Sequence, residues 1–212
     1  MIDLKLAALM SSKLCHDVIG PIGAVSNGIE LLQDDGNADM HEQALELVSQ
    51  SAGEASARLQ FYRLAFGLAG SMGQEISVRE ARNLSREFMS FGKVKLDWPD
   101  EAGGAENLPK DVVKILCNLV VLSAGTLPRG GELVIEGNVA DGKWEFTYTS
   151  SGTRAGLKEE ISKAILNGYD EAELTAQNVG AYYVMALVEN SGASLKIAAM
   201  DEDRIVLSVA SG

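Results

Sequence analysis

The sequence predicts an α + α/β protein. An N-terminal antiparallel helical hairpin pairs with a second copy as a dimeric four-helix bundle, and a two-layer α/β sandwich follows. Three observations carry this. Apolar residues in the first seventy positions recur in steps of three and four. A stretch from Gly67 to Gly73 with three glycines and a serine follows, suited to a hinge, and beyond it the pattern becomes mixed. In that second part Asp141-Gly142 lies between two strand-like runs, a strong hairpin signal. The chain therefore divides into 1–72 and 73–212.

The first helix is marked by Leu14, Val18, Ile22, Val25, Ile29 and Leu32, a coiled-coil-like seam. It stops at Asp34-Asp35-Gly36-Asn37, a polar cluster suited to a helix end and turn. A second helix is expected over 39–69, with its stripe at Ala44, Leu47, Ser51, Ala55, Arg58 or Leu59, Tyr62 and Phe66. Two long helices with one apolar stripe each have little else to bury it, so a homodimer is expected. Helices follow over 77–91, 108–126, 156–167 and 175–190, the second of these after an Asn107-Leu108-Pro109 turn. Strands are expected over 94–98, 133–139, 144–149, 195–199 and 205–209. One sheet with helices on one face is the economical arrangement, with Trp98 and Trp144 in its core.

Composition excludes several functions. Thirty acidic against 18 basic residues give a net charge of -12, which disfavours nucleic acid and anionic lipid as partners. No apolar stretch is long enough to span a membrane, and the N-terminus does not read as a cleavable signal peptide. Cys15 and Cys117 are expected to stay reduced, which points to the cytoplasm. Two histidines with no CxxC or HxxxH leave no zinc motif. His41, beside Asp39 and Glu42, reads as a solvated surface residue, and Cys15 as small packing.

His16 is the informative residue. At 100° per residue it points roughly 160° away from the seam and so faces solvent. Leu9, Ser12, Lys13, Ile19, Gly20, Gly23 and Asn27 share that outer arc. An exposed imidazole is nucleophilic near neutral pH, and Asp17 can hold one ring nitrogen while the other attacks phosphorus. Gly20 and Gly23 cost up to about 1 kcal/mol each against Ala, and Pro21 removes a helical hydrogen bond. The helix gives up stability around its histidine, either leaving a shallow surface that a partner protein can approach or making a kink that eases bundle packing. Folding the hairpin about Gly36 sets position 16 opposite about position 57. Arg58, Phe61 and Arg63 then fall near His16, either lining the phosphate or partner or packing the bundle.

The run His16-Asp17-Val18-Ile19-Gly20-Pro21-Ile22 resembles the H-box of sensor histidine kinases. More closely, Lys13-Leu14-Cys15-His16-Asp17, the stretch from Leu59 to Gly67 and Leu127-Pro128-Arg129-Gly130-Gly131 resemble the ChpT histidine phosphotransferases of alphaproteobacteria. The resemblance implies a dimeric hairpin bundle followed by a degenerate kinase-like (Bergerat-like) ATPase domain. It implies that His16 is phosphorylated, with Asp17 as its acidic partner. It also implies that phosphate passes from the receiver of a CckA-type hybrid kinase to response regulators of the CtrA and CpdR type.

The resemblance also shows what the second half lacks. The magnesium-binding Asn of such kinases falls on Leu122, with Asn118 one turn earlier. The adenine-reading DxGxG is matched by Ser150-Ser151-Gly152-Thr153-Arg154, without its carboxylate. Its phosphate-side turn is matched only by Asn178-Val179-Gly180-Ala181. Gly130-Gly131 lacks the Lys-Ser/Thr sequel of a phosphate loop and reads as a turn. No ATP binding and no cofactor are therefore expected, with magnesium supplied by the partner receiver. The position four after the histidine, often Thr or Asn in H-box kinases, is Gly20, so little phosphatase activity is expected. The alternatives are a sensor histidine kinase with a drifted ATP site and a non-catalytic dimeric adaptor.

Overall fold

The computed structural model describes residues 4–34, 40–67, 75–103, 107–168 and 171–212. Two long helices, α1 (Leu4–Gln33) and α2 (His41–Phe66), form the expected hairpin. The end of its turn and the Gly67–Gly73 hinge, with the 72/73 boundary, lie outside the described residues, Gly67 excepted. Of the α1 seam, Leu14, Val18, Val25 and Leu32 are half-buried, whereas Ile22 and Ile29 are exposed. One chain covers only part of the stripe. The helices cross closely at Gly28, where a Cβ would stand 2.5 Å from the Val48 side chain.

The rest of the chain runs β1 (Glu75–Ser77), α3 (Val78–Met89), β2 (Val94–Asp97), β3 (Asn107–Pro109), α4 (Lys110–Ala124), β4 (Gly131–Ala140), β5 (Lys143–Ser151), α5 (Glu159–Asn167), α6 (Val179–Asn190), β6 (Ser194–Asp201) and β7 (Arg204–Ala210). The main sheet has the order β2-β4-β5-β7-β6, with β2 parallel to β4 and the other pairs antiparallel. Alternating burial along β4 and β5 shows that one face is covered and the other is open to solvent. Asp141 and Gly142 take φ of 53° and 74°, the left-handed pair that a two-residue hairpin turn requires. Trp98 and Trp144 are both in the core.

Three expectations are corrected. Asn107–Pro109 is a short strand paired antiparallel with Glu75–Ser77, with Ile76 opposite Leu108. Helix α3 starts at Val78, because Ser77 is its cap and accepts a hydrogen bond from the Glu80 N–H. Helix α6 starts at Val179, not near 175. The Thr175 N–H donates to Asn178 Oδ1 at 2.8 Å, and this local turn competes with helix.

The core does not stop at the hairpin. Phe61, Tyr62, Leu64 and Ala65 of α2 belong to the same apolar cluster as Ala81 of α3, Cys117 of α4 and Tyr148 of β5. Phe61 stacks on Phe88 at 4.3 Å. Asn118 of α4 donates to the Ala65 carbonyl at 2.9 Å, tying the end of α2 to the sandwich. A smaller cluster seats Leu6, Leu9 and Met10 of α1 against Leu174, Val179 and Tyr182. Leu9, expected on the outer arc, is therefore packed, because α6 covers the start of α1.

Candidate functional site

His16 lies in the middle of α1 with 87% of its side chain exposed. One residue on, the Asp17 carboxylate is only 18% exposed and turns inward. Asp17 Oδ2 accepts a hydrogen bond from the Tyr62 hydroxyl at 2.7 Å and another from Lys13 Nζ at 2.9 Å. Its other oxygen, Oδ1, lies 3.4 Å from Nδ1 of the largely exposed His16 ring. Burial alone raises a carboxyl pKa, but the bonds from Tyr62 and Lys13 and the ammonium charge outweigh it and hold Asp17 below its ordinary value. Tyr62 is pushed up, first by burial and then by the carboxylate it donates to. One turn further, Pro21 offers no N–H to the Asp17 carbonyl, which loosens the helix beside the site.

Around His16, Ser12, Ile19, Gly20 and Asn27 are exposed and Gly23 is half-buried. A Cβ at Gly20 or Gly23 would meet nothing within 4 Å, so packing within this chain does not require either glycine. Lys13 is half-buried and paired with Asp17. Arg58 is paired with Glu54 through two hydrogen bonds, and its guanidinium lies 5.9 Å from the Phe88 ring centre. Arg63 is exposed. Phe61 is fully buried under Phe88 and cannot belong to a docking surface. Cys15 is exposed rather than packed, and His41 is half-buried rather than solvated.

The residue that sequence reasoning missed is Tyr62, assigned there to the apolar stripe. It is buried as that stripe requires, but its hydroxyl crosses from α2 to Asp17 on α1. The available signal was that a buried tyrosine hydroxyl needs a partner, and Asp17 is an acidic residue flanking the seam.

Comparison with known proteins decides the family. A profile described as the histidine phosphotransferase C-terminal domain matches residues 78–203. The Protein phosphotransferase ChpT of Brucella abortus (strain 2308) is 38% identical over 200 residues, covering 94% of this chain and 93% of that protein. The chain belongs to the ChpT-type histidine phosphotransferase family. A solved bacterial phosphotransferase, at 1.7 Å, superposes with a TM-score of 0.85 at 35% identity, covering 99% of this chain and 97% of that one. Full-length ShkA, solved in complex with AMPPNP, shares only the fold: TM-score 0.51 at 13% identity, with 97% of this chain and 45% of that chain covered.

Within this phosphotransferase, a cavity of about 210 Å³ lies between the start of the hairpin and α4, α5 and α6. Lys13, Phe66, Asn118, Leu122, Leu157 and Ile161 are among its walls, and among the described residues no carboxylate is. The Asn118 amide nitrogen donates both its hydrogens, to the carbonyls of Ala65 and Lys114. Where an adenine-reading carboxylate would stand, the buried Ser150 hydroxyl donates to the Ser123 carbonyl at 3.1 Å. Gly152 presses against the Gly130 carbonyl, which would stand 2.6 Å from any Cβ. Magnesium-triphosphate needs hard oxygen ligands and a backbone cradle, and this donor set does not fit it. Among the described residues no helix is long and apolar enough to cross a membrane, and no group of three metal-ligating side chains occurs.

Proposed function

We propose that this phosphotransferase carries its phosphoryl group on His16 Nε2 and passes it between receiver-domain aspartates. The observation that carries the reading is an imidazole standing almost wholly in solvent while its inner nitrogen faces a carboxylate held by two further side chains. In each transfer, Nε2 attacks the phosphorus of a receiver's aspartyl phosphate. The N–P bond forms, the O–P bond breaks and the receiver carboxylate leaves. The proton stays on Nδ1, where the Asp17 carboxylate stabilises the positive ring. Return to a second receiver is the same step reversed. Magnesium acts in the receiver's own acidic pocket, and this chain takes no nucleotide.

Ser12, Ile19, Gly20, Gly23, Asn27 and Arg63, with the partly covered Lys13 and Arg58, form the docking side. Gly20 and Gly23 are accounted for by a partner that must come close, since nothing inside the chain needs them. Gly20 also leaves no side chain to orient a hydrolytic water, so transfer outruns dephosphorylation. The partners that the family resemblance indicates are the receiver of a CckA-type hybrid kinase and regulators of the CtrA and CpdR type, in the cytoplasm. Exposed apolar residues seven apart on α1, Ile22 and Ile29, and fourteen apart on α2, Leu45 and Leu59, support pairing with a second hairpin.

The test is uptake of label from a phosphorylated receiver by the wild type and by His16→Ala, with mass spectrometry of the product. The expected result is one phosphate on His16 and none on the variant. Label on His41 or an acidic residue would sink the assignment.

A further inference from the structure

We infer that Tyr62 is a positioning residue for phosphoryl transfer: its hydroxyl fixes the Asp17 carboxylate that holds His16 with the proton on Nδ1 and Nε2 free to attack. The inference rests on the reading of His16 as the phosphoryl carrier and adds a residue of the second helix to that site.

The geometry argues for it. Asp17 and His16 are sequence neighbours on α1, so their side chains diverge by about 100° and nothing in the helix itself forces them together. Their contact, at 3.4 Å, is long for a hydrogen bond and depends on where the carboxylate is held. Lys13 can hold it only from the same helix, through a flexible stem that is itself partly exposed. Tyr62 holds it from the other helix at 2.7 Å, the shortest of the three contacts. Its ring cannot wander: it lies 5.1 Å from Phe66, 5.9 Å from Phe61 and 5.6 Å from Phe88, ring centre to ring centre. Because Tyr62 and Lys13 both occupy Oδ2, Oδ1 is left for His16. A rigid aromatic cluster shared with the sandwich thus sets the tautomer of a histidine on the solvent side of the hairpin.

The test has two readouts on the full-length protein. The first is nitrogen NMR of the imidazole rings, simple in a chain with two histidines and assigned with His16→Ala. Wild type should show His16 as the Nδ1–H tautomer, and Tyr62→Phe should move it toward Nε2–H. The second is a double-mutant cycle of phosphoryl uptake from a phosphorylated receiver. Tyr62→Phe should lower the maximal rate about tenfold with the half-saturating receiver concentration unchanged, as loss of an orienting partner does. In the Asp17→Asn background the same change should cost no more than about twofold, because Tyr62 acts through Asp17.

An Nε2–H tautomer in the wild type, or additive losses in the cycle, would overturn the inference and leave Tyr62 as packing. If Tyr62→Phe does not fold, 3-fluorotyrosine at position 62 keeps ring and hydroxyl and changes only the donor's acidity. His16 signals that ignore it overturn the inference equally. A wild type that takes no label refutes the phosphotransfer reading instead, while the tautomer measurement still decides the role of Tyr62.

Discussion

The outer face of α1 and the cavity between α4, α5 and α6 lie in one small chain, yet they are built to opposite ends. On α1 an imidazole stands in the open, backed by a buried carboxylate whose partners come from both helices of the hairpin. In the cavity the walls are mostly apolar, and the polar groups nearby are turned to holding helices and turns together. The two places separate what phosphotransfer between proteins needs from what ATP chemistry needs. Transfer asks for one accessible nucleophile, an orienting acid and a surface on which a receiver fits. A nucleotide site asks for several oxygen ligands and an open backbone cradle, and here the Asn118 amide nitrogen and the Ser150 hydroxyl are bonded to backbone carbonyls.

The comparison breaks most simply at His16, the proposed nucleophile. Uptake from a phosphorylated receiver should fall to background in His16→Ala with melting temperature unchanged, since the side chain touches little. Residual phosphorylation elsewhere in the chain would show that α1 is not the working face. Asp17→Asn should come next, slowing uptake about tenfold to a hundredfold without stopping it, as read from single-turnover rates. A rate equal to wild type would mean that the carboxylate only packs.

The cavity side is tested through stability. Asn118→Ala removes buried donors from the carbonyls of Ala65 and Lys114, which should cost about 2 kcal/mol in denaturant unfolding. A neutral change would mean that the amide is not structural. Gly20→Ala sharpens the contrast in the other direction. The chain should gain about 0.5–1 kcal/mol, because the Cβ meets nothing, while uptake slows because the receiver meets the new methyl. Faster uptake would argue against close docking there.

The smallest effect is a pH dependence. The carboxyl of Asp17 is lowered on folding, so it stabilises the fold at pH values above its unfolded pKa, near 3.8, and that contribution fades as pH falls through the lower folded value. The stability gap between wild type and Asp17→Asn should therefore be full near neutral pH and close in the acid range. A gap that widens on acidification would contradict the hydrogen-bonded carboxylate.

Much of this was legible in the sequence because period and punctuation speak for local structure. The seam from Leu14 to Leu32 announced α1, Asp141-Gly142 announced the hairpin between β4 and β5, and the angle of His16 against the seam gave its exposure. What stayed hidden were contacts between distant segments. Tyr62 has the same periodic signature whether its hydroxyl is idle or bonded to Asp17, 45 residues away. Phe61 was drawn toward His16 by hairpin arithmetic alone, yet α3 covers it, and nothing local to α2 says so. The helical angle puts Leu9 on the outer arc, and only the distant α6 turns that side of the helix into a packed one. The pairing of β1 with β3 joins two three-residue segments, too short for any alternation to show.

The most direct test of the contrast between the two places is one experiment with two phosphate sources. Wild-type protein is incubated with labelled ATP and magnesium in one reaction and with a labelled phospho-receiver in another, and acid-labile, base-stable label on the chain is counted. The account predicts label from the receiver and none from ATP. Label taken from ATP would mean that the cavity works as a nucleotide site, and the opposition drawn between the two faces would be wrong.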